Sequence, residues 1–262
     1  MSKVLAIANQ KGGVGKTTTS VNLAASLNVT RKKVLLVDLD PQGNATTGSG
    51  LDKAGLTNSV YDILTHTADF EDVVVHLENA EYDLLPANGD LVAAEVELMQ
   101  VEGREQRLRN TIEQIREQYD FVVIDCPPSL NMLTINALVA ADGVVIPMQC
   151  EYYALEGLSA LMETITAIRD RLNPNLKIEG ILRTMYDPRN KLTLEVNGQL
   201  FSYFGDIVYR TVVPRNIRLA EAPSFGQPVI TYDKQSRGAL AYLALAGELL
   251  RRDDEAAARA SG

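Results

Sequence analysis

The stretch "VLAIANQKGGVGKTTT", residues 4–19, joins an apolar strand to a helix through a glycine-rich loop. In this context the N–H groups of the loop and the N-terminus of the helix face the same anion. Lys16 occupies the position of the lysine that reaches nucleotide phosphates, and Thr17 that of a Mg²⁺ ligand. Gln10 replaces the first glycine of the standard loop, and Lys11 adds a second lysine. The stretch therefore predicts a variant phosphate-binding loop.

Segments of strand length alternate with segments of helical period along the rest of the chain. Several strand segments are apolar on both faces, as in a parallel sheet that helices cover on both sides. We predict strands at 4–9, 33–40, 82–88, 120–127, 143–149, 177–186 and 207–214, and helices at 16–28, 91–118, 131–141, 154–172, 191–204 and 237–251. The pattern is typical of a single doubly wound α/β domain with a mostly parallel sheet, over residues 1–252. Residues 253–262 are predicted to form a loose tail.

Composition narrows the class of protein. The 262 residues are 46% hydrophobic, which is enough for a full core, and contain no apolar run of membrane-spanning length. No signal peptide is recognisable, so a cytoplasmic location is expected. The net charge of −9 is uneven, because residues 1–150 carry 11 basic and 20 acidic side chains whereas residues 151–262 carry 14 of each. A local basic surface on the C-terminal half is therefore compatible with an acidic protein.

Aspartates stand at the ends of two predicted strands. In an open parallel sheet, ligands bind at the carboxyl ends of the strands. Asp38 and Asp40 are two residues apart and leave the same face of the second strand, where one can position a water while loop donors hold the other. The alternative is that both are ordinary N-capping or turn residues before Pro41. Asp125 ends a buried run, at the place of a carboxylate that holds Mg²⁺ through water.

Five motifs together resemble the ParA/Soj chromosome- and plasmid-partitioning ATPases. This deviant-Walker group also contains the MinD cell-division-site regulators and the nitrogenase iron proteins. The motifs are "KGGVGKTT" (11–18), "LLVDLDPQGN" (35–44), "VIDCPPSL" (123–130), "EYYALEGL" (151–158) and "VPRNIRLAEAPSFG" (213–226). These motifs follow one another in the family's order and spacing. The resemblance covers residues 3 to 250.

The resemblance implies an ATP and Mg²⁺ site with catalytic roles for Lys11, Lys16 and Asp40. Lys11 matches a lysine that reaches the phosphates bound by the other subunit of a sandwich dimer, and Asp40 matches the carboxylate that positions the hydrolytic water. Thr17, Asp38 and Asp125 are the implied magnesium residues. The remaining implied contacts to ATP or ADP are Gly12, Gly13, Val14, Gly15, Thr18, Met185, Pro214 and Asn216. Pro214 and Asn216 correspond to the adenine site, although Asn216 is also placed to cap a helix.

The family resemblance also implies partners. Its members dimerise on ATP, bind double-stranded DNA without sequence preference, and are stimulated in slow ATP hydrolysis by a ParB-type protein. Arg189 and Arg218 occupy the positions of the family's DNA-binding arginines, and arginine is suited to bidentate phosphate contacts.

Two other functions of related proteins remain as alternatives. A MinD-like regulator would need a terminal amphipathic helix for a membrane surface. An iron–sulfur protein would share one cluster between two subunits that give two cysteines each. Cys126 and Cys150, both on apolar runs, are the available thiols, and core packing is their simplest role.

Overall fold

The computed structural model describes residues 2–260, and their strands lie in one eight-stranded sheet. The strands are β1 (Lys3–Ile7), β2 (Val34–Asp38), β3 (Val75–Leu77), β4 (Tyr82–Leu85), β5 (Phe121–Asp125), β6 (Gly143–Gln149), β7 (Lys177–Tyr186) and β8 (Val208–Pro214). Their order across the sheet is β3-β4-β2-β5-β1-β6-β7-β8. Only the β3–β4 pair of this sheet is antiparallel. The predicted doubly wound, mostly parallel sheet is therefore confirmed.

Helices cover both faces of the sheet. They are α1 (Lys16–Val29), α2 (Asn44–Gly48), α3 (Val60–Thr65), α4 (Phe70–Val73), α5 (Leu91–Leu98), α6 (Arg107–Ile115), α7 (Met132–Ala140), α8 (Ala154–Arg171), α9 (Lys191–Phe204), α10 (Ile217–Glu221), α11 (Val229–Tyr232) and α12 (Arg237–Ala260). Alternate residues of β1 enter opposite apolar layers: Val4 and Ala6 pack with α6, α7 and α8, whereas Leu5 and Ile7 pack with α1 and α12. A central strand buried on both faces explains the continuous apolar run at the start of the chain.

The strand register brings the carboxyl ends of three central strands level. Asp125 at the end of β5 is paired with Ile7 on one side and with Asp38 on the other. The loop after β1, the aspartates after β2 and Asp125 consequently meet at one edge of the sheet. This is the edge at which the sequence predicts the functional residues.

The structure adds five short helices that were not predicted, α2, α3, α4, α10 and α11, and differs from the prediction in three further places. The short edge strand β3 was not predicted, because its three residues give no measurable alternation. The predicted helix 91–118 is divided into α5 and α6, with Gly103 between them at a φ of 67°. The tail prediction is wrong for residues 253–260, which continue α12. Alanine-rich sequence favours a helix, and Asp253 also pairs with Lys3. Residues 261–262 of that predicted tail lie outside the described residues.

Candidate nucleotide-binding site

The glycine-rich loop leads from β1 into α1 in a conformation that requires glycine. Gly13 and Gly15 have φ angles of 73° and 88°, a region that side chains disfavour. Two side chains hold the loop by hydrogen bonds to its carbonyl groups. Gln149 donates to the carbonyl of Gly13 at 3.0 Å, and Thr184 donates to that of Val14 at 2.7 Å. In the described part of the chain, residues 2–260, no side chain caps the N-terminus of α1. The N–H groups of its first turn are therefore directed at whatever anion enters the loop.

Lys16 is a buried cation that requires an anion. Its Nζ donates to the carbonyl of Lys11 at 3.2 Å. Among residues 2–260, no carboxylate lies within ion-pair distance of this Nζ. Burial lowers the pKa of Lys16, and the nearby charge of Asp125 opposes that shift. A phosphate group would compensate the buried charge, so Lys16 fits its predicted role.

Asp125 lies directly behind Thr17. The hydroxyls of Thr17 and Ser20 each donate to the Asp125 carboxylate at 2.8 Å. Burial, followed by the neighbouring charge of Asp38, raises the pKa of Asp125 to about 8. Two of the predicted magnesium residues are thus in contact. Ser20 was missed, although its place three residues after Thr17 on the same helix face was a usable signal.

Asp38 and Asp40 have different surroundings. Asp38 is fully buried and accepts the N–H and hydroxyl of Thr46, both at 2.8 Å, and the N–H of Asp40 at 3.1 Å. Its burial raises the pKa to about 6. Asp40 instead lines the cavity above the loop. The predicted magnesium role of Asp38 stays a prediction, since its hydrogen bonds in this structure fix Asp40 and α2.

Two adjoining cavities extend from the loop. The larger, of about 610 Å³, is lined by Asp40, by the segment after Asp125 and by the loop residues Gly12, Gly13, Gly15, Lys16, Thr17 and Thr18. Val14 is buried and is not part of this lining, so its predicted contact with ATP stays a prediction. The smaller, of about 190 Å³, is lined by Thr184, Pro214, Asn216 and Tyr242 among others. Gly15, Thr18 and Met185 line both. The site therefore has a polar compartment at the phosphate loop and a more apolar one beside it, which suits a nucleotide.

The adenine residues suggested by the sequence lie in the smaller cavity. Asn216 caps α10 by accepting the N–H of Arg218 at 3.0 Å. Its amide N–H₂ has no partner among residues 2–260, and it remains able to donate to a base. Met185 has a φ of 48°, unusual for a residue with a side chain, and its sulfur accepts from Gln149 at 2.8 Å.

Lys11 does not line the cavity of its own chain. Its Nζ pairs with Glu151 Oε2 at 2.6 Å, and both side chains are about half exposed, at 46% and 49%. Glu151 opens the motif "EYYALEGL", and sequence reasoning did not connect it with Lys11. The second lysine thus lies at the rim of the site, where another molecule can reach it.

The two predicted DNA-binding arginines are exposed and already paired. Arg189 contacts Asp187 through Nη2 at 2.8 Å, and its hydrogen bonds hold the pKa of Asp187 at about 2. Arg218 contacts Glu221 at 2.8 Å and Asp233 at 3.3 Å. A nucleic-acid phosphate would compete with these carboxylates for the guanidinium N–H groups.

The structure also bears on the alternatives. Cys126 and Cys150 are both buried, and burial raises the pKa of the Cys150 thiol to about 11. A cluster shared between subunits requires accessible thiolates, so this placement argues against it. Each helix in residues 2–260 is either too short or too polar to span a lipid bilayer. The end of α12, residues 251–260, carries charged residues and alanines without a bulky apolar face.

Comparisons with known proteins agree with this geometry. A family model described as an AAA domain matches residues 2–178. The sporulation initiation inhibitor protein Soj of Bacillus subtilis is 55% identical over 249 residues, which cover 95% of this chain and 98% of Soj. The chromosome partitioning protein ParA of Caulobacter vibrioides is 50% identical over 261 residues, which cover 99% and 98% of the two chains.

A solved structure extends the likeness to three dimensions. Cobyrinic acid a,c-diamide synthase from Mycobacterium smegmatis, with a bound ATP analogue and magnesium, superposes with a TM-score of 0.85 at 37% identity. The match covers 97% of this chain and 96% of that one. Fold, motif order and near-complete coverage by Soj and ParA lead to one assignment. The chain belongs to the ParA/Soj family of chromosome-partitioning ATPases.

Proposed function

We propose that this chain is a nucleotide-operated switch in DNA segregation. ATP closes two chains into a sandwich dimer, the dimer binds double-stranded DNA without sequence preference, and hydrolysis to ADP releases it. The observation that carries the proposal is Lys11, a second lysine of the phosphate loop that lies outside its own cavity. A single-chain ATPase has no evident use for it.

ATP or ADP with Mg²⁺ fits the two cavities. The first turn of α1 and Lys16, which has no carboxylate partner among residues 2–260, match the phosphates. Thr17, backed by Asp125, would hold Mg²⁺, which neutralises charge on the phosphate oxygens when bound. Among residues 2–260 there is no cluster of three His, Cys, Asp or Glu side chains to hold a metal. Mg²⁺ commonly takes one or two protein ligands together with phosphates and waters, so the ligand set is sufficient.

Hydrolysis requires a water positioned against the terminal phosphate. Asp40 lines the cavity, and its backbone is fixed by Asp38. Its carboxylate is therefore held where it can orient that water. Lys11 of the facing chain adds positive charge at the transferred phosphate, in the manner of an arginine finger supplied in trans. A site completed only in the dimer accounts for a slow ATPase that a ParB-type partner accelerates.

The Glu151 pair gives a first prediction. Glu151→Gln removes the carboxylate that holds Lys11 within its own chain. We expect ATP-dependent dimerisation to strengthen by up to about thirtyfold, since an exposed ion pair contributes about 0–1 kcal/mol and the dimer contains two such pairs. Sedimentation velocity across a concentration series with ATP would measure the dissociation constant. Glu156→Gln, an exposed change on α8, is the matched control, and a weaker dimer for Glu151→Gln would contradict the prediction.

The DNA surface is proposed on the C-terminal half. Arg189 and Arg218 are exposed there, and dimerisation would double their number. Their present carboxylate partners would compete with DNA phosphates for these side chains. Non-specific binding of this kind would place the protein on the nucleoid in the cytoplasm, where a ParB-type complex on the chromosome or plasmid would meet it.

Binding to a random-sequence duplex tests this function. We expect tight binding with ATP, weak binding with ADP or without nucleotide, and a linear fall of log K with log salt. Arg189→Ala and Arg218→Ala should each weaken binding. Each should also reduce the steepness of the plot of log K against log salt by roughly 1 for each DNA phosphate that is no longer neutralised. Arg109→Ala is the control, because Arg109 is likewise paired on a surface helix, with Glu113 at 2.8 Å. Equal affinity in all three nucleotide states would refute the switch.

A further inference from the structure

The short helix α2 belongs to the wall of the nucleotide cavity. Asn44 at its start lines that cavity. In its middle, Thr46 donates both its N–H and its hydroxyl to Asp38, which accepts the N–H of Asp40. The N–H of Gly43, the residue before α2, also donates to the Asp40 carbonyl oxygen at 2.8 Å. These bonds make α2 follow any displacement of Asp40.

Two glycines bring the end of α2 against the C-terminal part of the chain. A Cβ atom on Gly50 would lie 2.6 Å from the carbonyl oxygen of Gly226, and a Cβ atom on Gly226 would lie 2.6 Å from Cα of Gly50. Their φ angles are 96° and 62°, so both positions favour glycine for conformation as well as space. Backbone meets backbone here, with no side chain that could absorb a shift by changing rotamer.

A short series of contacts leads from this point to a predicted DNA ligand. The ring of Phe225 stacks on that of Tyr232 with centroids 5.0 Å apart. The Tyr232 hydroxyl donates to Glu221 at 3.3 Å, and Glu221 accepts from Arg218 at 2.8 Å. Asp233, the neighbour of Tyr232, is the second carboxylate on Arg218. Asp233 thus lies in the segment 222–233 that Gly226 joins to α2, and Tyr232 of that segment also contacts Glu221, which is on the same helix as Arg218.

We propose that the Gly50–Gly226 contact transmits the state of the nucleotide site to Arg218. A shift of Asp40 and α2 on ATP binding moves residues 222–233, which withdraws Asp233 from Arg218 and the Tyr232 hydroxyl from Glu221. The guanidinium then keeps one carboxylate, that of Glu221 on its own helix, and gains room for a phosphate. The inference rests on the proposed function, because it takes DNA as the ligand of Arg218. Coupling between two sites requires a structural element whose position both sites affect. Here that element is α2 together with residues 222–233, which lies between the nucleotide site and Arg218.

Gly226→Ala tests the coupling by placing a methyl group in the contact. Gly103→Ala is the matched control, because Gly103 has a similar φ of 67° and no heavy atom within 4 Å of an added Cβ. Amide hydrogen exchange over residues 217–233, with and without ATP and Mg²⁺, reports the coupling without DNA. The ratio of duplex affinities in ATP and ADP reports it with DNA. In Gly226→Ala, we expect ATP no longer to alter hydrogen exchange over residues 217–233, and the ratio of duplex affinities in ATP and ADP to fall at least about fivefold. Gly103→Ala should behave like the native chain in both measurements.

Phe225→Ala is the second variant, for the case that Gly226→Ala does not fold. Phe225 is an exposed side chain, so its removal breaks the stack on Tyr232 without disturbing the core. The same losses are expected. Native behaviour of a folded Gly226→Ala or Phe225→Ala in both measurements would overturn the inference, and so would an unchanged exchange over 217–233 when the native chain binds ATP. If the native chain binds DNA equally in ATP and ADP, the proposed function fails, and the exchange experiment still decides the coupling.

Discussion

Lys11→Ala is expected to abolish the ATP-dependent dimer while each chain still binds ATP with nearly native affinity. The physical reason is position: Lys16 serves the cavity of its own chain, whereas Lys11 lies at the rim, outside that cavity. Loss of a charge supplied in trans typically costs ~10³–10⁵ in rate, so hydrolysis should fall to background. Sedimentation in ATP, ATP titration by calorimetry and phosphate release measure the three quantities.

The matched control for this change is Lys177→Ala, which removes another exposed lysine at the opposite end of the sheet. It should leave dimerisation, ATP affinity and hydrolysis unchanged. Two results would contradict the account of Lys11. One is a Lys11→Ala chain that dimerises like the native one. The other is a loss of ATP affinity as severe as that of Lys16→Ala, which would place Lys11 in the site of its own chain.

Asp125→Asn is expected to stabilise the nucleotide-free protein and to impair its binding of Mg²⁺-nucleotide. Burial and the charge of Asp38 raise the pKa of Asp125 to about 8, far above its unfolded value near 3.8. Between about pH 4 and pH 8, the native state therefore keeps a proton that the unfolded chain releases. The free energy of unfolding consequently falls as pH rises through this window, and asparagine removes that fall.

Thermal unfolding of the nucleotide-free protein at pH 4.5 and pH 8 measures this effect. For a chain of this size, each 1 kcal/mol shifts Tm by about 2–4 °C, so Asp125→Asn should gain at least about 2 °C at pH 8 and less at pH 4.5. Its affinity for nucleotide with Mg²⁺ should fall about 10–100-fold, as when an outer ligand of a metal site is removed. Asp120→Asn, at the other end of β5, is the control. A Tm at pH 8 that is lower for Asp125→Asn than for the native chain would contradict the conclusion that the buried Asp125 carboxyl group destabilises the nucleotide-free protein at that pH.

Local sequence was sufficient for the parts of the site that a single segment forms. The loop, its positive-φ glycines and the start of α1 follow from "QKGGVGKTT", because each is determined by neighbours in the chain. Strand ends were predictable for a similar reason, since buried apolar runs end where polar residues reach the sheet edge. Hence Asp40 and Asp125 were correctly placed at the same edge.

Contacts between distant segments could not be predicted in this way. The Lys11–Glu151 pair joins residues 140 positions apart, and Gly50 meets Gly226 only because α2 packs on the segment 222–226. The different roles of Asp38 and Asp40 depend on Thr46, which lies beyond the turn. The helical residues 253–260 were expected to form a tail because their charges are equally compatible with a solvated coil and with a helix surface.

The central claim is that each nucleotide site is completed by Lys11 of the facing chain. Mixing Lys11→Ala chains with Asp40→Ala chains tests it most directly. In a mixed dimer, the Lys11→Ala chain keeps its own Asp40 and receives Lys11 from its partner, so one of two sites is intact. Each variant alone should be inactive, whereas an equal mixture should recover measurable hydrolysis, up to about a quarter of the native rate. A quarter is the value for random pairing, and a mixed dimer with one Lys11 instead of two forms less readily. A mixture that remains as inactive as its components would contradict the shared site.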